Sequence, residues 1–325
     1  MNNLISIIIV NYNGKKWLKK CLDSLYDQTY KNFEIIFVDN NSPDDSNDYI
    51  EEEYPEVKII KSNKNLGFGG GNNLGIDRTE GEFILLLNND TWLNNNFLEN
   101  MLKYYLHNKF DIIAPREINY QGHSLTTHIS TIDVFGHPVS FQCDKYKNLR
   151  NFYISGVCLL FKKNLYKSTR GFDNDFFMYC EDLDWFWRLN LFLKTFSYVD
   201  YIFINHAGAG STGSGIKYKV FLWRNQNTLQ MLLKNYTWFY LLWILPIYFA
   251  QNIFEIIFFL ISLKPKIAYS YVEGWWFNII NFKKIVQKRK WVQDNRRVSD
   301  FEIMKKMYFG FAKVHHLINF YKNNI

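Results

Sequence analysis

The sequence predicts an α/β fold: a mainly parallel, Rossmann-like sheet with flanking helices, followed by a C-terminal helical region rich in aromatic and basic residues. Three observations predict it. Short apolar runs alternate with amphipathic stretches, polar residues follow directly on several of these runs, and the composition shifts sharply after Ser211. Strands that alternate with helices build right-handed βαβ units and hence parallel sheets. We therefore divide the chain into a first domain, 1–215, and a helical region, 216–325.

The alternation is regular up to residue 107 and looser from there to residue 206. Uninterrupted runs of β-branched and aromatic residues predict strands, and apolar residues three or four positions apart predict helices. The predicted strands are 5–10, 33–38, 57–60, 83–87, 112–115, 153–161 and 196–204. The predicted helices are 15–26, 45–53, one that starts beyond Leu66, 96–107 and 182–193.

The C-terminal region contains a long apolar run at residues 238–263. This run is long enough to cross a bilayer, which takes about 20 apolar residues, but Pro246 and Glu255 interrupt it. Two interfacial helices joined near Pro246 fit the pattern as well as one spanning helix. Aromatic residues and several basic pairs follow, a combination suited to lipid headgroups. We expect association with the cytoplasmic face of the membrane; the alternatives are a second core or a homodimer interface.

Composition narrows the class of protein. The chain has 325 residues, of which 48% are hydrophobic and 19% aromatic, and a formal net charge of +7. Its four cysteines show no paired spacing, which indicates a reducing compartment, and the N-terminal apolar run is too short for the core of a signal peptide. The aromatic residues near the basic tail form apolar blocks instead of a spaced stacking platform, so we expect no nucleic-acid partner.

Polar side chains follow three of the predicted strands. Asn11 and Asn13 come after the first strand, Asp39 after the second, and Asn88 and Asp90 after the fourth. Ligands of open α/β sheets bind at the carboxyl ends of the strands. There Asp39 can accept a hydrogen bond from a base or ribose, and Asp90 can hold a divalent cation against a diphosphate. The structural alternatives are a helix N-cap for Asp39 and a turn at residues 88–91.

A glycine-rich stretch at residues 65–73 lies between the third and fourth predicted strands. Consecutive glycines let the backbone approach a ligand closely, and the start of the following helix can face negative charge; a flexible turn is the alternative. The spacing fails the dinucleotide fingerprint, and a Walker loop is absent, which disfavours nicotinamide and flavin enzymes. The candidate substrate-binding residues here are Asn65, Gly67, Phe68 and Asn72.

A second group of acids lies among aromatic residues just before and within the helix predicted at 182–193. Apolar surroundings raise the basicity of a carboxylate, which a general base needs in order to take a proton from a hydroxyl group. If the helix begins near Glu181, Asp184 and Arg188 can pair across one turn and leave Asp182 to point elsewhere. The alternative is that these acids favour the helix dipole.

His206 follows the strand predicted at 196–204 and precedes a loop of small residues. In that position a neutral imidazole can complete a metal site with Asp90 or bind a phosphate oxygen. The alternative is a purely structural histidine.

Taken in order, these motifs resemble those of the inverting glycosyltransferases of family 2, which have the GT-A fold, and in particular the rhamnosyltransferase-like members that build bacterial surface polysaccharides. The resemblance covers roughly the first two-thirds of the chain. It rests on residues 7–13, 39–42, 65–73, 88–91 and 177–184.

The resemblance implies roles for three acids. Asp39 recognises the nucleotide base, Asp90 is the last acid of the metal-binding Asp-x-Asp motif, and Asp182 is the catalytic base. Asn88 stands where that motif has its first acid, so its carbonyl oxygen, the donor diphosphate and His206 would complete the coordination of Mg²⁺ or Mn²⁺.

Further positions resemble family residues near the donor phosphates, namely His206 with Ser211 and Arg224 with Asn225. We count Arg224 among the substrate-binding candidates, together with Glu181, Asp184 and Arg188.

The resemblance implies a single displacement. Asp182 deprotonates a hydroxyl of a lipid-linked or polysaccharide acceptor, which attacks the anomeric carbon of a nucleoside-diphosphate sugar and inverts it. Two other classes remain. A sugar nucleotidyltransferase needs a basic, glycine-rich loop after the first strand, where this chain has Asn11-Tyr12-Asn13-Gly14. A non-catalytic, membrane-bound carbohydrate-binding protein would bind the donor without transferring its sugar.

Overall fold

The computed structural model describes residues 3–118, 128–142, 150–208 and 217–315. Ser211 and Cys143 lie outside the described residues. The chain forms two compact units, each assembled from separate stretches of sequence. Unit 1 comprises Met1–Thr127, Ile154–Phe177 and Lys194–Ser214; unit 2 comprises His128–Tyr153, Met178–Leu193 and Gly215–Ile325. The domain boundary at residue 215 stays a prediction.

Unit 1 is built on an eight-stranded sheet. Its strands are β1 (Ile5–Asn11), β2 (Phe33–Asp39), β3 (Lys58–Lys61), β4 (Phe83–Leu87), β5 (Thr91–Leu93), β6 (Ile112–Ile118), β9 (Cys158–Lys162) and β10 (Phe196–His206). They lie in the order β3-β2-β1-β4-β9-β6-β10-β5. The pairings β1–β2, β2–β3, β1–β4 and β6–β10 are parallel, and β9 and β5 run antiparallel to their neighbours. The mainly parallel sheet is confirmed.

Five helices flank this sheet: α1 (Lys15–Tyr26), α2 (Ser46–Glu53), α3 (Gly67–Ile76), α4 (Phe97–His107) and α5 (Lys163–Thr169). The predicted bounds of α1 hold because its apolar positions are correctly spaced: Leu18, Cys21, Leu22 and Leu25 are buried. Every residue of β4 is buried, as expected of a central strand covered on both faces.

The glycine-rich stretch is helical. Within α3, Gly71 packs so close to β1 that an added Cβ would lie 2.6 Å from Val10 Cγ1, well inside van der Waals contact. The glycines therefore allow the helix to lie directly on the sheet, despite their poor intrinsic helix propensity. This close approach is to the protein's own strand; ligand binding by the glycine-rich stretch stays a prediction.

Unit 2 contains a hairpin and six helices among the residues that the structure describes. They are β7 (His128–Ile132), β8 (Pro138–Gln142), α6 (Glu181–Leu191), α7 (Tyr218–Asn235), α8 (Trp238–Ile261), α9 (Pro265–Ile280), α10 (Phe282–Asn295) and α11 (Asp300–Met304). The predicted helical C-terminal region is confirmed.

The apolar run forms one helix, α8, which continues through Pro246, so two helices joined near Pro246 do not form. By length and composition α8 could cross a membrane. One side of it packs within unit 2 through a stripe of buried residues, Leu241, Ile244, Tyr248 and Asn252. The remaining surface exposes large apolar side chains, among them Phe239, Leu242, Phe254 and Ile261.

Candidate functional site

The carboxyl ends of β1 and β2 lie side by side in unit 1. Their parallel register places Asn11 opposite Asp39. The Asp39 carboxylate is buried and accepts hydrogen bonds from Ser42 N at 2.9 Å and from Asn47 Nδ2 at 2.6 Å. Asp39 thus closes the turn after β2 and does not cap α2, whose N-cap is Asp45.

Asn11 and Asn13 are held against the same turn. The Asn11 amide is fully buried, donates to Ser46 Oγ at 2.9 Å and accepts from Asn89 Nδ2 at 2.7 Å. The backbone of Asn13 is left-handed, with φ of 54°, and its N–H donates to Ser42 Oγ at 2.6 Å. These contacts fix the shape of the loop after β1.

The start of α3 is fastened by amides. Asn65 Oδ1 accepts from Gly67 N at 2.9 Å, and Asn40 Nδ2 donates to Gly67 O at 3.0 Å. Gly67 has a φ of +73°, and a Cβ there would overlap the carbonyl of Phe177, so glycine is required. Asn72 donates to the carbonyl of Phe68 at 2.9 Å. In this structure Asn65 and Gly67 therefore shape the turn that leads into α3, and Asn72 and Phe68 are bonded to each other within the helix.

A second cluster in unit 1 joins Asp90, His206 and Glu117. His206 Nε2 lies 3.3 Å from Asp90 Oδ1, and His206 Nδ1 lies 3.0 Å from Glu117 Oε2. All three side chains are largely buried. The antiparallel pairing of β5 with β10 explains the first contact, because it sets His206 opposite Thr91, the residue after Asp90.

The neighbouring carboxylates strongly affect the pKa of His206. Burial disfavours the imidazolium, but the hydrogen bonds and negative charges of Asp90 and Glu117 outweigh burial and raise the pKa of His206 to about 9. A cation bound between Asp90 and His206 would take the place of a proton.

The side-chain atoms of Asp90 and His206 that could bind a metal fit Mg²⁺ or Mn²⁺ in part. An octahedral ion with ligands at about 2.1 Å sets neighbouring ligand atoms about 3 Å apart, close to the 3.3 Å between the Asp90 and His206 atoms. Among the described residues no group of three or more His, Cys, Asp or Glu side chains has a geometry that would hold a metal. Asn88, whose backbone carbonyl oxygen accepts from Thr91 Oγ1 at 2.6 Å, closes the turn after β4. The diphosphate of a substrate would have to supply further ligands.

In unit 2 the chain enters α6 through a strained turn. Tyr179 and Cys180 are both left-handed, with φ of 68° and 66°. Such residues cost about 1–3 kcal/mol each and occur often at functional sites. The buried amide of Asn227 holds the turn by donating to Met178 O at 3.0 Å and to Tyr179 O at 2.7 Å.

A cavity of about 460 Å³ lies beside this turn, entirely within unit 2. Aromatic rings and charged groups share its wall. The main lining residues are Tyr153, Tyr179, Phe221 and Tyr271, the acids Glu181, Asp182 and Glu255, and the cations Arg224 and Lys313. Rings beside polar groups are suited to a sugar, whose faces are apolar and whose rim is hydroxylated.

The two acids at the start of α6 differ in environment. Asp182 is half-buried, whereas Glu181 is buried and its Oε2 has no hydrogen-bond partner among the described residues. Burial, with the adjacent Asp182 charge, holds the pKa of Glu181 well above its usual range. The aromatic setting predicted from the sequence is present.

Asp184 and Arg188 pair as predicted, inside unit 2. Asp184 Oδ2 accepts from Arg188 Nε at 3.1 Å and from Lys234 Nζ at 3.0 Å, and Asp184 Oδ1 accepts from Asn235 at 3.1 Å. The Asp184 side chain is 0% exposed. In this structure the pair anchors α6, the helix that carries Asp182.

Arg224 lines the cavity and lies over the Tyr179 ring, with 4.8 Å from Cζ to the ring centroid. Its guanidinium therefore borders the same space as Asp182.

The structure adds residues that are not among the predicted site residues. Asn40 and Asn89 stand next to predicted residues, so their position after strands could have indicated them. Glu117 lies two residues beyond the strand predicted at 112–115, and Asn227 lies within a helix; the partner of each is distant in sequence, which no local pattern shows.

Comparison with known proteins agrees with this architecture. Residues 6–170, just over half of the chain, match the protein family described as glycosyl transferase family 2. EpsH of Bacillus subtilis, named as a glycosyltransferase, is 38% identical over 103 residues, which are 30% of this chain and 29% of EpsH.

Two further similarities are to a named enzyme and to a solved structure. The UDP-Glc:alpha-D-GlcNAc-diphosphoundecaprenol beta-1,3-glucosyltransferase WfaP of Escherichia coli is 32% identical over 135 residues, 36% of this chain and 54% of WfaP. The crystal structure of GalNAc-T7 with UDP, GalNAc and Mn²⁺ superimposes with a TM-score of 0.57 at 12% identity, covering 71% of this chain and 47% of that one. This chain thus spans less than two-thirds of each relative, and the structural likeness concerns the fold.

Proposed function

Because the chain belongs to glycosyl transferase family 2, we propose that it transfers a sugar from a nucleoside-diphosphate sugar to a hydroxyl group of a glycan acceptor. The observation that carries the proposal is the contact between Asp90 and His206 at the sheet edge of unit 1. A carboxylate and an imidazole so close together, after strands of an open α/β sheet, suit a cation that accompanies a diphosphate.

Unit 1 supplies the donor side. Asp39, Asn11 and Asn13 form a rigid polar edge after β1 and β2, which suits recognition of the base and ribose. Asp90 and His206 would hold Mg²⁺ or Mn²⁺, which when bound would neutralise charge on the leaving diphosphate. Because a single acid contributes here, metal binding should depend on the diphosphate more strongly than at a two-acid motif.

Asp182 supplies the base. It takes the proton of the acceptor hydroxyl, and the oxygen attacks the anomeric carbon on the face opposite the diphosphate, so the configuration inverts. Its half-buried, aromatic surroundings support this role. Asp184 and Arg188 act on the reaction by holding α6, and Arg224 contributes positive charge to the cavity.

We assign the acceptor to the cavity of unit 2, and we propose a lipid-linked or polysaccharide acceptor in cell-surface glycan synthesis. WfaP, whose name specifies a diphosphoundecaprenol acceptor, supports the lipid-linked form. Rhamnose is the sugar that we propose on the strength of the resemblance to rhamnosyltransferase-like members.

We place the protein at the cytoplasmic face of the membrane, with α8 lying in the interface. The buried stripe of α8 includes the polar residue Asn252, and Glu255 of the same helix pairs with Lys313 at 2.5 Å. This side of α8 therefore packs against protein, and only the opposite, apolar side is free to contact lipid. Exposed Lys264 and Lys266 follow the end of α8, and exposed Lys283 and Lys290 lie on α10; these lysines suit anionic headgroups.

A thermal-shift screen of the full chain tests the donor side. UDP, dTDP, GDP and their sugars are compared with and without Mn²⁺. One nucleotide should raise the melting temperature, and Mn²⁺ should raise it further; ligand at 100 times Kd stabilises by about 2.7 kcal/mol.

The matched variant is Asp90→Asn, which should keep the shift caused by the nucleotide and lose the increment from Mn²⁺. A protein that responds to none of these nucleotides would contradict the proposal.

A further inference from the structure

Glu117 lies behind His206 in the sheet. The parallel register of β6 and β10 sets Glu117 opposite Ile204, two residues before His206, so the two side chains project from the same face. Glu117 Oε2 lies 3.0 Å from His206 Nδ1. The Glu117 side chain is only 10% exposed, so solvent screens this contact little.

The contact determines which ring nitrogen faces Asp90. A carboxylate accepts hydrogen bonds, so Glu117 keeps a hydrogen on Nδ1 of the neutral ring, and the lone pair is then on Nε2. Nε2 is the nitrogen that lies 3.3 Å from Asp90 Oδ1. Carboxylates in this position behind a metal-bound histidine fix its tautomer and orientation and are worth about 10–100-fold in metal affinity.

We propose that Glu117 is a positioning residue for the metal: it orients His206 and presents Nε2, together with Asp90, to the cation that accompanies the donor diphosphate. This inference rests on the proposed function. Glu117 contacts neither substrate nor metal in this account and acts through the imidazole.

The test measures Mn²⁺ affinity directly, from the electron paramagnetic resonance signal of free Mn²⁺, in the presence of whichever of UDP, dTDP or GDP stabilises the protein most. Glu117→Ala should weaken Mn²⁺ binding by about 10–100-fold. Glu117→Gln, which keeps a carbonyl oxygen for the Nδ1 hydrogen, should restore most of the affinity.

A matched control separates positioning from loss of stability. Asp111 accepts from Thr195 N at 2.8 Å and links the opposite ends of the same two strands. Asp111→Ala should lower the melting temperature without changing Mn²⁺ affinity.

In a His206→Ala background, Glu117→Ala should cause no further loss of Mn²⁺ affinity. If Glu117→Ala lowers Mn²⁺ affinity in that background as much as it does in the wild type, Glu117 acts by charge alone, and the proposal is overturned. If the wild type binds Mn²⁺ and Glu117→Ala binds it with the same affinity, the proposal is also overturned, but the proposed function stands. A wild type that binds no Mn²⁺ overturns the metal assignment and this proposal together.

Discussion

Asn227 holds the strained turn that leads into α6, and replacing it should uncouple catalysis from donor binding. Its amide donates to the carbonyls of Met178 and Tyr179, immediately before Cys180 and the two acids. In Asn227→Ala the turn loses both hydrogen bonds, and the left-handed backbone at Tyr179 and Cys180 can relax. Asp182 should then occupy a different position.

The magnitude follows from the two bonds. A typical neutral hydrogen bond contributes about 1 kcal/mol, so the free energy of unfolding should fall by about 2 kcal/mol and the melting temperature by about 3 °C for a chain of this size. A displacement of about 1 Å of a reacting group can cost about 100-fold in rate, so we expect kcat to fall about 10- to 100-fold while donor affinity is kept.

Asn278 provides a matched control. It is also buried in unit 2 and donates two hydrogen bonds to backbone carbonyls, those of Gln226 at 2.9 Å and Gly274 at 2.8 Å, but these carbonyls belong to regular helices. Asn278→Ala should lose similar stability in urea unfolding and keep kcat, measured as release of nucleoside diphosphate. Equal losses of kcat in the two variants would refute the idea that the turn positions the base.

Two further predictions concern the membrane and pH. Phe254 is 72% exposed on α8, and we expect its ring to be buried in lipid. Phe254→Asp should therefore weaken co-sedimentation with phosphatidylglycerol vesicles by about 2 kcal/mol, or roughly thirty-fold, whereas Leu106→Asp on α4 should not. Equal binding by both variants would argue that α8 contacts protein, such as a second copy of the chain. Burial raises the pKa of Asp133 to about 6 from 3.8, so the stabilising contribution of Asp133 is complete below about pH 3.8 and is lost as pH rises through 6. The free energy of unfolding of the wild type relative to Asp133→Asn, measured in urea, should therefore fall by about 2 kcal/mol between pH 4.5 and pH 7.5. A difference between the two proteins that does not change with pH would contradict this.

Local pattern predicted much of unit 1. The bounds of α1 and β4 agree with the prediction because amphipathic spacing and an unbroken apolar run are local signals. The polar residues at the carboxyl ends of β1, β2 and β4 were found for the same reason, since each follows an apolar run that the sequence identifies as a strand.

Pairing between distant segments was not predictable. The insertion of β9 between β4 and β6, antiparallel to both, depends on contacts across some 50 to 80 residues of chain. The helical glycines of α3 show tertiary packing overriding propensity, because Gly71 gains a close contact with Val10 that no larger residue could make.

The candidate site shows the same contrast between positions that local pattern predicts and contacts that depend on distant segments. Asp90 and His206 were paired in the prediction because both follow strands, and the structure brings them to 3.3 Å. Glu117 was missed because the strand predicted at 112–115 stops two residues before it, and it meets His206 only through the register of β6 on β10, which no local pattern shows. Asn227, in the middle of a helix, was missed because its partners are likewise distant in sequence.

The most direct test of the central claim compares the wild type with Asp182→Asn, using the donor identified by thermal shift and a lipid extract of the source cells as acceptor. The variant keeps the size of the side chain and removes the base. We predict an unchanged donor-induced shift in melting temperature together with loss of sugar transfer and of nucleoside-diphosphate release. Transfer at the wild-type rate by Asp182→Asn would contradict the account.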